Sequence, residues 1–220
     1  MSGLAKLIKV CEKYRPHLIE AVNILLDGAL FRDKPQHEDV LKSRFICGRA
    51  TKVLGYFLSS EGYDVRKVTD NYFSQRYPSE DHTFLVVNTP DETIVDAAYY
   101  QFIDVFYLDR EQMPSEDILV VPYSQLDKKV EEFVELRKLK FHSHSNPQIL
   151  REHSFIFTIP DEELHHYFRR IWNFKQETYM TENANLLAQD IMEFDDFGIS
   201  KISLDTASLI NYLKKEKLLK

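Results

Sequence analysis

The chain has 220 residues, of which 44% are hydrophobic, and a formal net charge of −7 at neutral pH. This length and composition fit one globular domain, and the acidic balance disfavours nucleic acid or an anionic membrane surface as the main partner. No segment approaches the roughly 18 consecutive apolar residues that a membrane-spanning helix requires.

The cysteine content and the first residues bear on the compartment. Cys11 and Cys47 are the only cysteines, too few for a disulfide framework, so we expect a reducing environment. The start, MSGLAKLIKVCEKYRPHLIEAVNILL, has no charged segment leading into a continuous apolar one, so we expect no cleaved signal peptide. The expectation is a cytoplasmic protein, or an effector that a bacterium delivers into a host cytosol.

The first sixty residues predict two helices. Residues 3–30 carry apolar side chains at helical spacing on both sides of Pro16, and the polar segment 31–39 follows. A second helix is predicted from Cys47, with an apolar stripe formed by Ala50, Val53, Leu54, Phe57 and Leu58. Gly62 lies where a glycine commonly ends a helix.

Strand patterns follow, and they end in further helices. Strands are predicted at residues 63–68, 83–87, 93–98, 117–123 and 153–159. The turn residues of NTPDE join the second and third of these as a hairpin. Helices are predicted at residues 124–140, 161–193 and 203–219, with Tyr167, Phe168 and Trp172 packing the helical region against the sheet. The order favours an α+β fold with an antiparallel sheet.

Cys47, His82 and Asp96 form the constellation with the clearest chemical meaning. Cys47 opens a helix, where unpaired N–H groups and the positive end of the helix dipole favour a thiolate. His82 opens a strand and can take the thiol proton, and Asp96 in the next strand can orient the imidazole. Both side chains share one face only if the hairpin pairs residues whose numbers have an even sum, such as Asn88 with Glu92.

Each of these residues also has an ordinary structural interpretation. A cysteine beside an apolar helical stripe is most often a small core residue, and this is our interpretation of Cys11. A histidine before a strand is commonly a polar edge residue, and an aspartate after a strand commonly belongs to a turn or a cap. The occurrence of Cys47, His82 and Asp96 in this order and in these contexts favours catalysis.

The chain resembles the transglutaminase-like, papain-like class of cysteine enzymes over residues 40–135. The matching features are the spacings of 35 residues from Cys47 to His82 and 14 from His82 to Asp96, together with EGYDVRKV, HTFLVVNTPDETIVDAAYYQF and ILVVPYSQL. They are similar to small bacterial effector deamidases and proteases and, more distantly, to arylamine N-acetyltransferases. The resemblance implies a Cys-His-Asp triad acting on an amide of a protein, as a glutamine deamidase or thiol protease.

The resemblance also implies how the chain is organised. We expect a single domain spanning 1–220, with a papain-like core at 40–135 in which the helix bearing Cys47 packs on the sheet bearing His82 and Asp96. A helical C-terminal extension is expected at 160–220. Arylamine acetyltransferases carry Arg-Gly-Gly before the residue that precedes their cysteine; KSRFIC stands here, so coenzyme A chemistry is not implied and no cofactor is expected.

The residue that completes the oxyanion site is not specified by the resemblance. Papain-type enzymes carry a glutamine six positions before the cysteine, where this chain has Leu41. Gly48, Gln101 and Gln36 are the candidates, and backbone N–H groups at the start of the helix are sufficient donors in principle.

The remaining histidines do not predict a metal site. His142 and His144 would share one face of a strand, with His153 following, but no cysteine or spaced carboxylate joins them, so no metal is expected. His165 and His166 are adjacent on a helix and diverge. The alternative functions are a catalytically silent member of the fold that binds a protein, another class of enzyme, or a structural helical protein. The oligomeric state is left open.

Overall fold

The computed structural model describes residues 3–27, 40–41, 46–70, 82–103, 116–143, 160–175, 179–183 and 204–219. Within these ranges the helices are α1 Gly3–Asp27, α2 Cys47–Ser60, α3 Tyr100–Ile103, α4 Leu126–Ser143, α5 Asp161–Ile171 and α6 Leu204–Lys215. The strands are β1 Val65–Asp70, β2 His82–Val87, β3 Thr93–Asp96, β4 Leu119–Pro122 and β5 Tyr179–Asn183. No described helix has both the length and the apolar character needed to cross a membrane.

The five strands form one antiparallel sheet, in the order β4-β3-β2-β1-β5. Each of the first four strands along the chain is paired with the next, as in a meander. The connection from β3 to β4 is the longer one and includes α3. The α+β class predicted from the sequence is therefore confirmed.

The β2–β3 hairpin has the register that the sequence argument required. Leu85 lies opposite Val95, and Val87 lies opposite Thr93, so paired numbers have an even sum. Continuing this register places position 96 opposite position 84. His82 and Asp96 are therefore diagonal neighbours on the same face of the sheet, within reach of one another.

Helices cover the sheet on both faces because both faces are apolar. Leu85, Val87 and Val95 belong to one buried cluster with side chains of α1, α2 and α6. Their neighbours in sequence point to the opposite face and belong to a second cluster, with aromatic residues of α3, α4 and α5: these neighbours are Phe84, Val86 and Ile94. Successive apolar side chains of β2 and β3 thus point to opposite faces of the sheet, and each face packs against its own layer of helices.

The end of α2 shows why the chain turns directly into β1. Gly62 adopts φ +83°, a left-handed conformation that side chains with a Cβ rarely take. The N–H of Gly62 donates to the Ser59 carbonyl at 3.0 Å, and the N–H of Tyr63 donates to the Leu58 carbonyl at 3.1 Å. This pair of bonds is the Schellman arrangement, so the predicted role of Gly62 is confirmed.

The helical prediction for residues 161–193 is wrong at residues 179–183. The helix α5 ends at Ile171, and residues 179–183 form β5, which pairs with β1 at the edge of the sheet. The proposed C-terminal extension is therefore not purely helical, because it contributes a strand to the central sheet. An unpaired edge on β1 supplies hydrogen bonds that local helical propensity does not outweigh.

A shared face for His142 and His144 is conditional on a strand at this point of the chain. His142 lies in α4, so it does not share a strand face with a residue two positions later. The predicted strand at 153–159, together with His144, His153 and Gln36, lies outside the described residues.

Candidate active site

Cys47 is the first residue of α2, as the sequence predicted, and its side chain is half-buried. The preceding N-cap residue is Ile46, which has no side-chain acceptor for the N–H groups of the first turn. The backbone N–H of Thr83 donates a hydrogen bond to the thiol sulfur. Cys47 therefore lies between the positive end of a helix and the first residues of β2.

A second contact fixes this helix against the strand. Thr51 lies one turn after Cys47 in α2, and its hydroxyl donates to the backbone carbonyl of Thr83 at 2.8 Å. The Thr51 side chain is buried, with 2% exposure. Thr83 thus binds α2 twice, through its N–H to the sulfur and through its carbonyl to the hydroxyl, which sets the distance between Cys47 and β2.

His82 and Asp96 are in direct contact inside the protein. The Nε2 atom of His82 lies 2.7 Å from Oδ2 of Asp96, and the two residues are 1% and 0% exposed. The His82 ring stacks on Phe84, with centroids 5.6 Å apart, and meets the edge of Phe102 at 4.5 Å. These rings hold the imidazole in one orientation, in a setting that excludes water.

Two further donors hold the Asp96 carboxylate. The indole Nε1–H of Trp172 donates to Oδ2 at 2.7 Å, and the backbone N–H of Ala98 donates to Oδ1 at 2.8 Å. With His82, these give the buried carboxylate three hydrogen bonds, which is how a buried charge is tolerated. Trp172 comes just after α5, so the second helical layer takes part in the site.

The hydrogen bonds assign the two nitrogens of the His82 ring. A carboxylate has no proton to give, so Nε2 carries the hydrogen in its bond to Asp96. The thiol of Cys47 is also hydrogen-bonded to this ring, which leaves Nδ1 as its partner atom. The series Cys47, His82, Asp96 is therefore continuous, with thiol and carboxylate on opposite nitrogens of the ring.

The electrostatics of the pair favour proton transfer from sulfur to nitrogen. Burial by itself raises the pKa of the Cys47 thiol, but the hydrogen bond and charge of His82 and the Thr83 N–H outweigh it, so the pKa is lowered. Burial by itself lowers the pKa of His82, but the charge and hydrogen bond of Asp96, with Cys47, raise it to about 9. Each shift favours the thiolate–imidazolium pair.

The three oxyanion candidates have different outcomes. Gly48 is in the first turn of α2 beside Cys47, and a Cβ built on it meets no atom within 4 Å. Gln101 instead directs its amide at the imidazole, with Nε2 lying 2.7 Å from His82 Nδ1. Gln36 is outside the described residues. The described residues contain no group of three or more His, Cys, Asp or Glu side chains suited to a metal ion.

Comparisons with known proteins give this chain no relative. No protein-family model, no curated protein and no solved structure matches it.

Sequence reasoning missed the polar role of Trp172. It predicted that this residue packs the helical region against the sheet, and Trp172 is indeed fully buried against Phe102 and Phe133. The signal that was available is chemical: Trp172 is the only tryptophan, and a buried indole N–H needs an acceptor. The identity of that acceptor depends on the packing of α5, which no sequence pattern specified.

Proposed function

We propose that this protein is a cysteine-dependent hydrolase or acyl transferase with a transglutaminase-like, papain-like core, acting on an amide of another protein. The observation that supports this best is the continuous hydrogen-bonded series from Cys47 through His82 to Asp96. At one end of this series is Cys47, a half-buried residue. At the other is a carboxylate fully enclosed by the protein and held by three donors.

The geometry supports a two-step mechanism. The Cys47 thiolate attacks the carbonyl carbon of the amide, a C–S bond forms, and the carbonyl π electrons move to the oxygen. N–H groups at the start of α2 stabilise that oxyanion, and Gly48 is the residue that follows the nucleophile in this first turn. His82 then gives its Nδ1 proton to the leaving nitrogen as the C–N bond breaks, which leaves a thioester.

The second step returns the enzyme to its starting state. His82 takes a proton from water or from an amine, which attacks the thioester carbon, and the C–S bond breaks with release of the thiolate. Asp96 stabilises the imidazolium in both steps without itself taking the proton. With water the product is an acid, as in deamidation or proteolysis; with an amine it is a new amide. A glutamine side chain or a peptide bond is the substrate that the family resemblance favours.

The test is a product search with two matched variants. Wild-type protein, Cys47→Ala and Cys11→Ala are each incubated with a protein extract and a primary amine, and the extract is then analysed by peptide mass spectrometry. We expect glutamine-to-glutamate conversion, new chain ends or amine adducts with wild-type and Cys11→Ala protein, and none with Cys47→Ala. Cys11 is the proper control because it is a buried thiol in another helix, α1, and its pKa is raised by burial and by the charge of Glu12.

The same experiment distinguishes the alternative, a catalytically silent protein-binding module. If the three samples give identical peptide profiles, and proteins from the extract are retained equally on immobilised wild-type and Cys47→Ala protein, the triad geometry has no catalytic use and the proposal is wrong.

A further inference from the structure

Gln101 occupies the nitrogen of His82 on which the proposed chemistry depends. Its amide Nε2 lies 2.7 Å from Nδ1, as close as Asp96 lies to the opposite nitrogen. On the basis of the proposed function, we propose that Gln101 holds the site in a resting form. Its amide must turn or withdraw before His82 takes the proton of Cys47.

The His82 ring can accept only one hydrogen bond while it is neutral. A neutral imidazole has one N–H and one lone pair. Nε2 carries the hydrogen, because Asp96 can only accept, and Trp172 donates to the same oxygen. The one lone pair therefore lies on Nδ1. The Gln101 amide lies 2.7 Å from it, and the Cys47 thiol, which hydrogen-bonds to the same ring, has no other lone pair to use. The two donors therefore compete for a single acceptor.

The contact with the Gln101 amide favours the neutral form of the His82 ring. An amide N–H donated to Nδ1 stabilises the neutral ring, in which Cys47 keeps its proton. Once Nδ1 is protonated, the same N–H faces another donor and the contact becomes repulsive. Rotation of the carboxamide by half a turn presents Oε1 instead, which accepts from Nδ1–H and stabilises the imidazolium. The orientation seen here is the one that opposes activation of the thiol.

The position of Gln101 allows this movement. Its neighbours Tyr100 and Phe102 are both fully buried, and the hydroxyl of Tyr100 donates to the Glu116 carbonyl at 3.0 Å, so the backbone of α3 is anchored. The side chain of Gln101 itself is only half-buried. It can leave Nδ1 without unpacking the aromatic cluster, for example when a substrate carbonyl enters beside Cys47.

The experiment measures the rate at which iodoacetamide alkylates Cys47 in the folded protein between pH 5 and pH 10. Gln101→Met keeps the length of the side chain and removes the amide. We expect its rate near neutral pH to rise about three- to ten-fold, the range that corresponds to one neutral hydrogen bond. The acidic limb of the profile should move to lower pH, a change that altered packing alone does not produce. Gln125→Met, at an exposed position on another element, should leave the profile unchanged.

Every outcome decides between the proposals. A Gln101→Met rate equal to or below that of wild type overturns the resting role, and a lower rate would show that Gln101 supports the base. If Gln101→Met lacks a cooperative thermal transition, Gln101→Ala replaces it under the same criterion. The proposed function is tested separately by His82→Gln: if the rate at Cys47 does not depend on His82, the proposed function fails, and the Gln101 proposal fails with it.

Discussion

The two cysteines show how little the residue type says about reactivity. Cys11 in α1 and Cys47 in α2 both contact the same apolar cluster, on the same side of the sheet. Burial, with the nearby charge of Glu12, raises the pKa of Cys11 to about 12. The pKa of Cys47 is lowered, although burial acts on it as well. The difference comes from His82 and the Thr83 N–H, which only Cys47 meets.

Cys11 is therefore placed as a structural thiol, whereas the surroundings of Cys47 favour its thiolate. Cys11 is buried, with 3% exposure, and contributes to the fold as a small hydrophobic side chain. Cys47 gives up part of that burial and lies at a helix start beside an imidazole. Four substitutions should make the surroundings of Cys47 less favourable to a reactive thiolate, and so more like those of Cys11. They follow in order of decreasing expected effect.

The largest effect is expected for His82→Gln. The glutamine amide can still donate to Asp96 but cannot take a proton from sulfur, so the pKa of Cys47 should rise above its ordinary value because burial then dominates. The alkylation rate of Cys47 near neutral pH should fall about ten-fold or more, since each pKa unit changes the thiolate fraction about ten-fold. Mass spectrometry of peptides from native, alkylated protein gives both cysteines at once. An unchanged ratio of Cys47 to Cys11 labelling would contradict the role of His82.

Asp96→Asn should have the next largest effect. The direction in which the pH profile of turnover moves depends on the pKa of His82. Once Gln101 has turned away and the imidazolium has formed, burial acts to lower the pKa of His82, but Asp96 and Cys47 raise it to about 9. Turnover should therefore rise through the lowered Cys47 pKa and fall again near pH 9. Without the Asp96 charge, burial lowers the pKa of His82, and the alkaline limb should move to lower pH. The loss of a buried acceptor should also lower the free energy of unfolding by about 1–3 kcal/mol.

The control for this variant is Asp64→Asn, which changes a carboxylate that binds the exposed side chain of Asn88. It should leave the pH profile as in wild-type protein. An alkaline limb that stays in place in Asp96→Asn would show that Asp96 does not set the charge on His82.

Trp172→Phe should give a moderate effect. It retains an aromatic ring against Phe102 and Phe133 but removes one of three donors to Asp96. Turnover should fall about three- to ten-fold, as expected for one hydrogen bond to a positioning group, while Cys47 remains more reactive than Cys11. Because Trp172 is the only tryptophan, its fluorescence should also change in Asp96→Asn and not in Asp64→Asn. Turnover equal to that of wild type would limit Trp172 to packing.

The smallest effect is expected for Thr51→Val, which removes the hydroxyl that binds the Thr83 carbonyl. The free energy of unfolding should fall by about 1 kcal/mol, and the alkylation rate of Cys47 by less than about three-fold, since the hydroxyl acts only through the placement of α2. Denaturant unfolding and the same labelling assay measure the two effects. Thr51→Ser retains the hydroxyl and loses only a buried methyl, so it should keep the Cys47 alkylation rate of wild-type protein. A rate that falls as far in Thr51→Ser as in Thr51→Val would show that the hydroxyl does not place α2.

The sequence predicted the members of the triad because their positions follow from local rules. Helix periodicity placed Cys47 at the start of α2, and the turn residues around Pro90 defined a hairpin whose register then brought His82 and Asp96 together. His82 and Asp96 lie on the same face of the sheet only if the numbers of paired residues have an even sum. Sequence reasoning supplied even-sum pairing only as the condition for this shared face, and the pairing itself is seen in the structure.

The remaining features depend on contacts between distant segments. Trp172 is 76 residues from Asp96, and the contact of Gln101 with His82 requires the short helix α3 to turn back over the sheet. The strand β5 was predicted as helix because YMTEN lies between helical patterns and has no strong alternation. Its conformation is set by its pairing with β1, more than a hundred residues earlier in the chain.

That late pairing has a consequence for biosynthesis. Until the ribosome has released residue 183, the backbone of β1 lacks the neighbour that completes its ladder, while β2, β3 and β4 have already been made. A nascent chain at this stage presents an open strand edge to other polypeptides, which favours aggregation and engagement by chaperones. Chains terminated shortly before this point should therefore accumulate as insoluble material, even though they contain every member of the triad.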